Sequence, residues 1–255
     1  LTSFVPFTLP SPALFLILLI ALACPSTASA GPSETGATAK KNASAPAASP
    51  AASLPQASDF QIQSGPVKSA ELKRLAETVQ DGDILFQTTV SRQSLAIKIA
   101  TKSDYTHCGI VFTKNGKPYV FEAVTTVSWT PLENWVQRGV KHHYVLMRLK
   151  KDQALTPDAL QRMRDSITLF AGKEYDLLFQ WSDAKSYCSE LVWKLYQKAG
   201  IELCALRVFR DYDLDHEAVQ TIVKERFGLD MPWDEKAVAP SDLMNCALLE
   251  VVAKN

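Results

Sequence analysis

The sequence predicts an α+β domain in which a small antiparallel β-sheet packs against helices. Helical and strand-like segments alternate irregularly over residues 67–253, and a strong hairpin signal lies between them. The segment 59–255 also has the length of one ordinary domain with a substantial core. The chain carries 27 basic and 27 acidic residues, so its charge gives no reason to expect nucleic acid as a partner.

An export signal is predicted at the N-terminus. Residues 1–33 carry no charge, and the apolar run 13–24 is 12 residues long. This run is shorter than the ~20 residues that a spanning helix needs. Cleavage after Ala30, at an Ala-x-Ala sequence, is the favoured interpretation for 1–30. A lipoprotein signal that ends before Cys24 and an uncleaved anchor are the alternatives. We therefore expect an exported protein of the periplasm or cell envelope.

A disordered linker is predicted over residues 31–58. Ala, Ser and Pro supply 18 of its 28 residues, and Leu54 is its only large aliphatic residue. Such a segment cannot bury enough apolar surface to offset the entropy lost on ordering. The linker would let the domain 59–255 stand off from a membrane or cell wall.

Apolar periodicity and turn residues define the elements of the domain. The predicted helices are 67–80, 92–103, 130–139, 156–172, 187–200 and 216–226, and the predicted strands outside the hairpin are 81–89 and 142–149. In the helix that follows Thr156, that threonine is the N-cap, Pro157 is the first helical residue and Gly172 lies past the end. A final apolar segment runs from 243 to 253.

The hairpin over 107–125 can be predicted to the level of single side chains. Asn115-Gly116 is a preferred pair for a two-residue type I′ turn. Counting outward from this turn places Gly109 opposite Glu122, with His107 on the same face. Diagonal neighbours lie ~7–8 Å apart, so the imidazole and the carboxylate are within reach of each other.

A histidine held by a carboxylate has the tautomer that a general base needs. His107 and Glu122 are therefore candidates for catalysis, and a cross-strand polar pair at a sheet edge is the structural alternative. Cys108 points to the opposite face of the strand, so we expect it to have no effect on this pair.

Cys188 is the candidate nucleophile. Ser186 is a plausible N-cap, which places the thiol in the first helical turn, where the helix dipole favours a thiolate. The residues that share its face are Cys188, Leu191, Val192, Leu195 and Ala199. This face should point into the protein, and the polar side chains of Ser189, Glu190, Lys194, Gln197 and Lys198 should lie on the other side. A buried core cysteine and a Cys188–Cys204 disulfide are the alternatives.

Metal and cofactor sites are not predicted. The domain contains Cys108, Cys188, Cys204 and Cys246, which allow three disulfide connectivities. The sequence has no C-x-x-C motif, and its four histidines lack the spacing of metal ligands.

Four segments, in this order along the chain, carry a resemblance to a known family. They are DGDILFQ (81–87), THCGIVF (106–112), YVFEAV (119–124) and YCSELVWKLYQKAG (187–200). They resemble the circularly permuted NlpC-type papain-like cysteine hydrolases, in particular the YiiX/YaeF-like branch. The resemblance implies Cys188 as nucleophile, His107 as base and Glu122 as third residue. Asp83 is not expected to be catalytic.

An exported cysteine hydrolase that cleaves amide bonds in cell-wall peptides is therefore the expected function. Permuted relatives of the lecithin–retinol acyltransferase group act on lipid acyl chains, which makes a lipid acyl hydrolase or acyltransferase the alternative. Trp129 and Trp135 could then line an acyl groove, or they could belong to the core. A narrow polar cleft at Cys188 would favour the peptide, and a long apolar cleft would favour the lipid. A non-catalytic cell-wall-binding or structural module is the second alternative, with Cys188 in a disulfide or far from His107.

Overall fold

A computed structural model describes residues 67–255 of the chain. The predicted export signal and linker lie outside these residues. Across the described part of the chain, the helices are all too short or too polar to cross a membrane.

The described residues form seven α-helices and eight β-strands. The helices are α1 (Ser69–Thr78), α2 (Arg92–Thr101), α3 (Leu132–Arg138), α4 (Pro157–Ser166), α5 (Cys188–Lys198), α6 (Glu217–Phe227) and α7 (Pro240–Met244). The strands are β1 (Ile84–Gln87), β2 (His107–Lys114), β3 (Lys117–Ala123), β4 (Val127–Pro131), β5 (Val145–Leu149), β6 (Arg207–Val208), β7 (Lys236–Ala237) and β8 (Leu249–Lys254).

A six-stranded antiparallel sheet is the centre of the fold. Its strand order is β4-β3-β2-β1-β5-β8, and β6 and β7 form a separate two-stranded sheet. The antiparallel sheet with its surrounding helices confirms the predicted α+β class.

The β2–β3 hairpin has the register counted from its turn. Val111 pairs with Val120, and Ile110 pairs with Phe121. Asn115 and its neighbour Gly116 both have positive φ angles, 51° and 72°, as a type I′ turn requires.

Two strands at opposite edges of the sheet were missing from the sequence-based assignment. The predicted helix at 130–139 begins only at Leu132, because Val127–Pro131 pairs with β3 as strand β4. The apolar segment 243–253 contributes the end of α7 and most of β8, which pairs with β5. Each strand gains its hydrogen bonds from a partner that local periodicity does not reveal.

The sheet buries a different group of side chains on each face. One face packs against α5 and the loops around it, with Phe86, Ile110 and Phe112 in this larger cluster. The other face packs against α1 and α3 and includes Leu85 and Val111. The alternation along β1 and β2 sets this division, because successive side chains of a strand point to opposite faces.

Helix α5 is buried on nearly all sides, which differs from the expectation of an exposed polar face. Ser189, Glu190 and Lys194 are all buried. The Ser189 hydroxyl donates to the carbonyl of Val238, and Lys194 donates to the carbonyl of Ser182. The polar side chains therefore bind the loops that cover the helix.

The helix caps agree with the prediction in α4 and differ in α5. Thr156 Oγ1 accepts a hydrogen bond from the N–H of Ala159 at 3.2 Å. Tyr187, not Ser186, is the N-cap of α5, and its N–H donates to the carboxylate of Glu190 at 3.2 Å. Cys188 is consequently the first residue of the helix.

Asp83 is held by Arg148 and by the backbone of Gln80. Its carboxylate accepts hydrogen bonds from Arg148 at 2.7 and 2.8 Å and from the N–H of Gln80 at 2.8 Å.

Candidate active site

His107 and Glu122 form a buried hydrogen-bonded pair across the β2–β3 ladder. Nε2 of His107 lies 2.5 Å from Oε2 of Glu122, and the glutamate is completely buried. Gly109 allows the strands to approach here. A Cβ at this position would lie 2.5 Å from Cγ1 of Val120 and 3.1 Å from Cβ of Glu122. The contact forms where the hairpin register predicts it.

Glu122 is held by two further residues that the sequence analysis did not identify. Arg138 donates to both carboxylate oxygens at 2.7 and 2.6 Å, and the Thr130 hydroxyl donates to Oε1 at 2.5 Å. Burial alone would raise the pKa of Glu122, but the hydrogen bond and charge of His107, together with Arg138, lower it to about 2. The carboxylate is therefore a fixed anion. The positions of Arg138 and Thr130 depend on β4 and α3, which have no local motif linking them to the glutamate.

Cys188 meets His107 at the start of α5. The two side chains lie near enough for each to shift the pKa of the other, and Cys188 is 2 % exposed. Burial alone would lower the pKa of His107, but the hydrogen bonds to Cys188 and Glu122 outweigh it and raise the pKa to about 9. Hydrogen bonds from Cys108 and His107 lower the pKa of Cys188, despite burial. These directions favour a thiolate–imidazolium pair.

The ring of His107 is also held by packing. Trp135 of α3 stacks on it, with ring centroids 6.2 Å apart and planes at 29°. Trp129 lies instead against Phe121 and Phe112, at 4.7 and 5.9 Å. Neither tryptophan lines the groove described below, so both belong to the core.

Cys108 lies closer to the chemistry than expected. It does lie in the α5-facing cluster, on the opposite side of β2 from His107. However, Cys188 belongs to the same cluster, and the Cys108 thiol lowers the pKa of Cys188. Burial raises the pKa of Cys108, so it remains a neutral thiol that can donate to a Cys188 thiolate. Cys108 thus lies on the expected side of the strand, and its neighbour there is Cys188.

Tyr175 is a further polar residue at Cys188. Cys188 is one of the groups that raise its pKa, and the Tyr175 hydroxyl accepts a hydrogen bond from Nε2 of Gln93 at 2.8 Å. Oε1 of Gln93 in turn accepts from Arg226 at 2.7 Å. Burial raises the pKa of Tyr175, so the hydroxyl keeps its proton. Tyr175 lies in a loop without periodicity, and no sequence signal connects it to Cys188.

An apolar groove leads to Cys188. The volume of this groove is about 120 Å³. Its walls come mainly from α2 and α6 and include Ala96, Ile97, Ala100, Phe179, Val223 and Phe227. Cys188 lines the groove, whereas His107 does not, and Arg226 is the one charged side chain along it.

The four cysteines of the domain are free thiols, so the alternative Cys188–Cys204 disulfide is absent. Between residues 67 and 255, the His, Cys, Asp and Glu side chains form no cluster of three or more that could hold a metal ion.

The class of protein follows from the order of these residues along the chain. The histidine and the glutamate precede the cysteine, and they meet where an antiparallel sheet packs against the cysteine's helix; this is a permuted papain-like fold. Residues 78–253 match the family described as "Permuted papain-like amidase enzyme, YaeF/YiiX, C92 family", and the chain belongs to this family.

Two similar proteins from Escherichia coli agree with this family. "Uncharacterized protein YiiX" of strain K12 is 42% identical over 176 residues, which cover 69% of this chain and 86% of that protein. The crystal structure of "metalloprotein yiiX" from O157:H7 superimposes with a TM-score of 0.67 at 41% identity. The superposition covers 70% of this chain and 98% of the other.

Proposed function

We propose that the protein is a cysteine amidase that uses Cys188, His107 and Glu122 as a catalytic triad. The observation that carries the proposal is the buried 2.5 Å contact of His107 with Glu122, with the Cys188 thiol near enough to His107 for the two groups to shift each other's pKa. A thiol nucleophile, a base within hydrogen-bond reach and a group that orients the base are what such a reaction needs.

In the first half of the reaction, the Cys188 thiolate attacks the amide carbonyl carbon. The oxyanion that forms accepts hydrogen bonds from the N–H of Cys188, which has no partner within the helix, and from the hydroxyl of Tyr175. His107 then gives its proton to the amide nitrogen. The C–N bond breaks, the amine leaves and a thioester to Cys188 remains.

In the second half, His107 takes a proton from a water molecule that attacks the thioester. The C–S bond breaks, the carboxylic acid leaves, and the Cys188 thiolate and the His107 imidazolium are restored. Glu122 stays ionised throughout and holds the ring so that its other nitrogen faces the sulfur. No step is assigned to a metal ion, because the described side chains provide no suitable ligand group.

The groove favours a substrate whose acyl part is long and apolar. A narrow polar cleft would have favoured a cell-wall peptide, but the walls are apolar and lead to Cys188. The leaving amine must lie against His107, which does not line the groove. The acyl chain therefore occupies the groove, and we propose N-acylated lipids or fatty amides as substrates. The export signal predicted in 1–30 supports action in the cell envelope.

A chain-length series tests this proposal. Purified protein should hydrolyse N-acyl amides with kcat/KM rising by about tenfold for every two methylenes that enter the groove, because each buried methylene contributes about 0.8 kcal/mol. Cys188→Ala should abolish hydrolysis and the mass increase of Cys188 with iodoacetamide, whereas Cys204→Ala should change neither. Ala100→Phe should shorten the longest chain accepted.

Two results would contradict the proposal in different ways. An unreactive Cys188 would refute the proposal that the protein is a cysteine amidase. Hydrolysis of short γ-glutamyl peptides, with no gain from a longer acyl chain, would keep the triad and replace the lipid substrate by a cell-wall peptide.

A further inference from the structure

Large apolar side chains are exposed at few positions in the described chain, and most of them lie together in two segments. The exposed residues of this kind are Leu169, Leu177, Leu178, Leu229, Trp233 and Val251. Four of the six belong to the segments 177–181 and 227–233. This concentration needs an explanation, because scattered single apolar residues are ordinary on a surface but a patch is not.

These two segments also form part of the wall of the apolar groove. Phe179 lies in the groove directly after Leu178, and Met231 lies in it between Leu229 and Trp233. Apolar side chains of the same segments therefore point both into the groove and out to solvent.

Hydrogen bonds hold the two segments beside each other. Arg226, at the end of α6, donates to the carbonyl of Leu177 at 2.9 Å. The N–H of Trp181 donates to Glu235 at 2.7 Å. The exposed apolar residues are thus close sequence neighbours of Phe179 and Met231, which line the groove.

We propose that Leu177, Leu178, Leu229 and Trp233 form a membrane-contact surface, here named the apolar rim, through which a lipid substrate enters the groove. The inference rests on the proposed function, because it supplies the reason for an apolar path from a bilayer to Cys188. Leucine and tryptophan side chains that enter the boundary between headgroups and acyl chains give up unfavourable contact with water.

Charge near the apolar rim points to a neutral lipid surface. Arg210 pairs with Asp234, and Arg92 pairs with Glu225 at 2.7 Å. Residues 224–236 carry three basic and four acidic side chains, so attraction to anionic lipid contributes little. Binding to the bilayer should therefore depend weakly on salt concentration.

Binding of the full-length Cys188→Ala protein to phosphatidylcholine vesicles tests the apolar rim without turnover. We expect co-sedimentation with the vesicles and about a tenfold weaker partition for Leu229→Ser with Trp233→Ser. The matched control is Leu169→Ser with Val251→Ser, whose parent side chains are 54% and 55% exposed but lie outside the rim segments. The control should bind like the parent.

Fluorescence locates the contact independently of the predicted N-terminal signal, which is present in every variant. Vesicles with brominated acyl chains should quench the parent, and Trp233→Phe should remove most of that quenching. Equal quenching in Trp233→Phe, or equal loss of binding in the control pair, would overturn the proposal. A concentration-dependent dimer that protects Trp233 from quenching would assign the rim to a second copy and would also overturn it.

Hydrolysis of a short, soluble acyl amide separates this inference from the proposed function. The rim variants should hydrolyse it at the parent rate. Failure of the parent on this substrate would reject the amidase, whereas failure of vesicle binding alone would reject the rim.

Discussion

Glu122 forms hydrogen bonds with three side chains, and the way they hold its carboxylate has a consequence for catalysis. His107 and Arg138 both bind the carboxylate, so the anion that orients the imidazole is itself held in place by a guanidinium. Such support fixes geometry, because a carboxylate clamped on both oxygens cannot rotate away from the histidine.

Replacing Glu122 by Gln should lower kcat by a factor of about 10²–10⁴, because the amide no longer fixes the tautomer of His107 or stabilises its charged form. Steady-state kinetics with a soluble acyl amide would measure this decrease in kcat. Thr130→Val removes only one hydrogen bond to the carboxylate and should cost far less. Equal losses in the two variants would contradict the assigned role of the charge.

The pH dependence of kcat/KM should fall on its alkaline side through about pH 9, where His107 loses the proton that the leaving amine needs. In Glu122→Gln this limb should move to lower pH, because one of the groups that raises the pKa of His107 is weakened. A pH–rate profile of both proteins provides the measurement. An alkaline limb near the ordinary histidine value of about 6.5 in the parent would contradict the ion pair.

The same two residues should influence stability in opposite pH ranges. The pKa of His107 rises on folding, so its contribution is complete below its unfolded value of about 6.5 and is lost as pH rises through about 9. The pKa of Glu122 falls on folding, so its contribution is present above about 4.5 and is lost as pH falls through about 2. Urea denaturation across this pH range would show both limbs.

Cys108→Ala should make the Cys188 thiol less acidic, because the hydrogen bond from Cys108 is the largest cause of its lowered pKa. The rate of iodoacetamide alkylation against pH should shift to higher pH by a measurable amount. Cys204→Ala is the control, since burial raises the pKa of Cys204 to about 12 and it reacts slowly in either protein. An unchanged alkylation profile in Cys108→Ala would show that His107 alone activates the thiol.

At the scale of the secondary-structure elements, the start of α5 is held in position by charged side chains that loops cover. Burial raises the pKa of Glu190 to about 7, although its ion pair with Lys194 at 2.8 Å opposes this. Lys194 also bonds Asp183 at 2.8 Å. The start of the helix that carries Cys188 is thus held by an ionic network.

Lys194→Ala should lower the free energy of unfolding by about 3 kcal/mol, because it leaves a buried carboxylate without its cation. Lys198→Ala, one turn further along on the exposed side, should change it by less than about 0.5 kcal/mol. Urea denaturation of the two variants and the parent gives the comparison. If the two variants had similar free energies of unfolding, Glu190 would be taking up a proton without destabilising the protein.

Local patterns were sufficient for the β2–β3 hairpin and not for the residues that complete the site. Asn115 and Gly116 define a turn, and an alternating strand then specifies every facing pair, so the contact of His107 with Glu122 could be counted. Arg138 and Tyr175 reach the same site from distant parts of the chain. Their positions result from strand pairing and loop packing, to which no short sequence period corresponds.

At the scale of the whole molecule, the reactive groups lie where two parts of the chain come together. The sheet supplies His107 and Glu122, whereas α5 supplies Cys188 and α6 supplies much of the groove. The α+β class and the contact of His107 with Glu122 were predictable from the sequence and its family resemblance. The apolar character of the groove was not, because it depends on the packing of α2 against α6.

The position of strand β8 near the end of the sequence determines when the sheet can be completed during synthesis. Residues 249–254 complete the edge of the sheet beside β5, roughly a hundred positions after their partner strand, and Asn255 then binds the N–H of Tyr144 at 2.9 Å. Pairings between such distant segments form slowly. All the reactive groups have therefore emerged from the ribosome before the sheet that supports them can close. A nascent chain that ends before residue 249 should contain the whole proposed triad and show no hydrolysis.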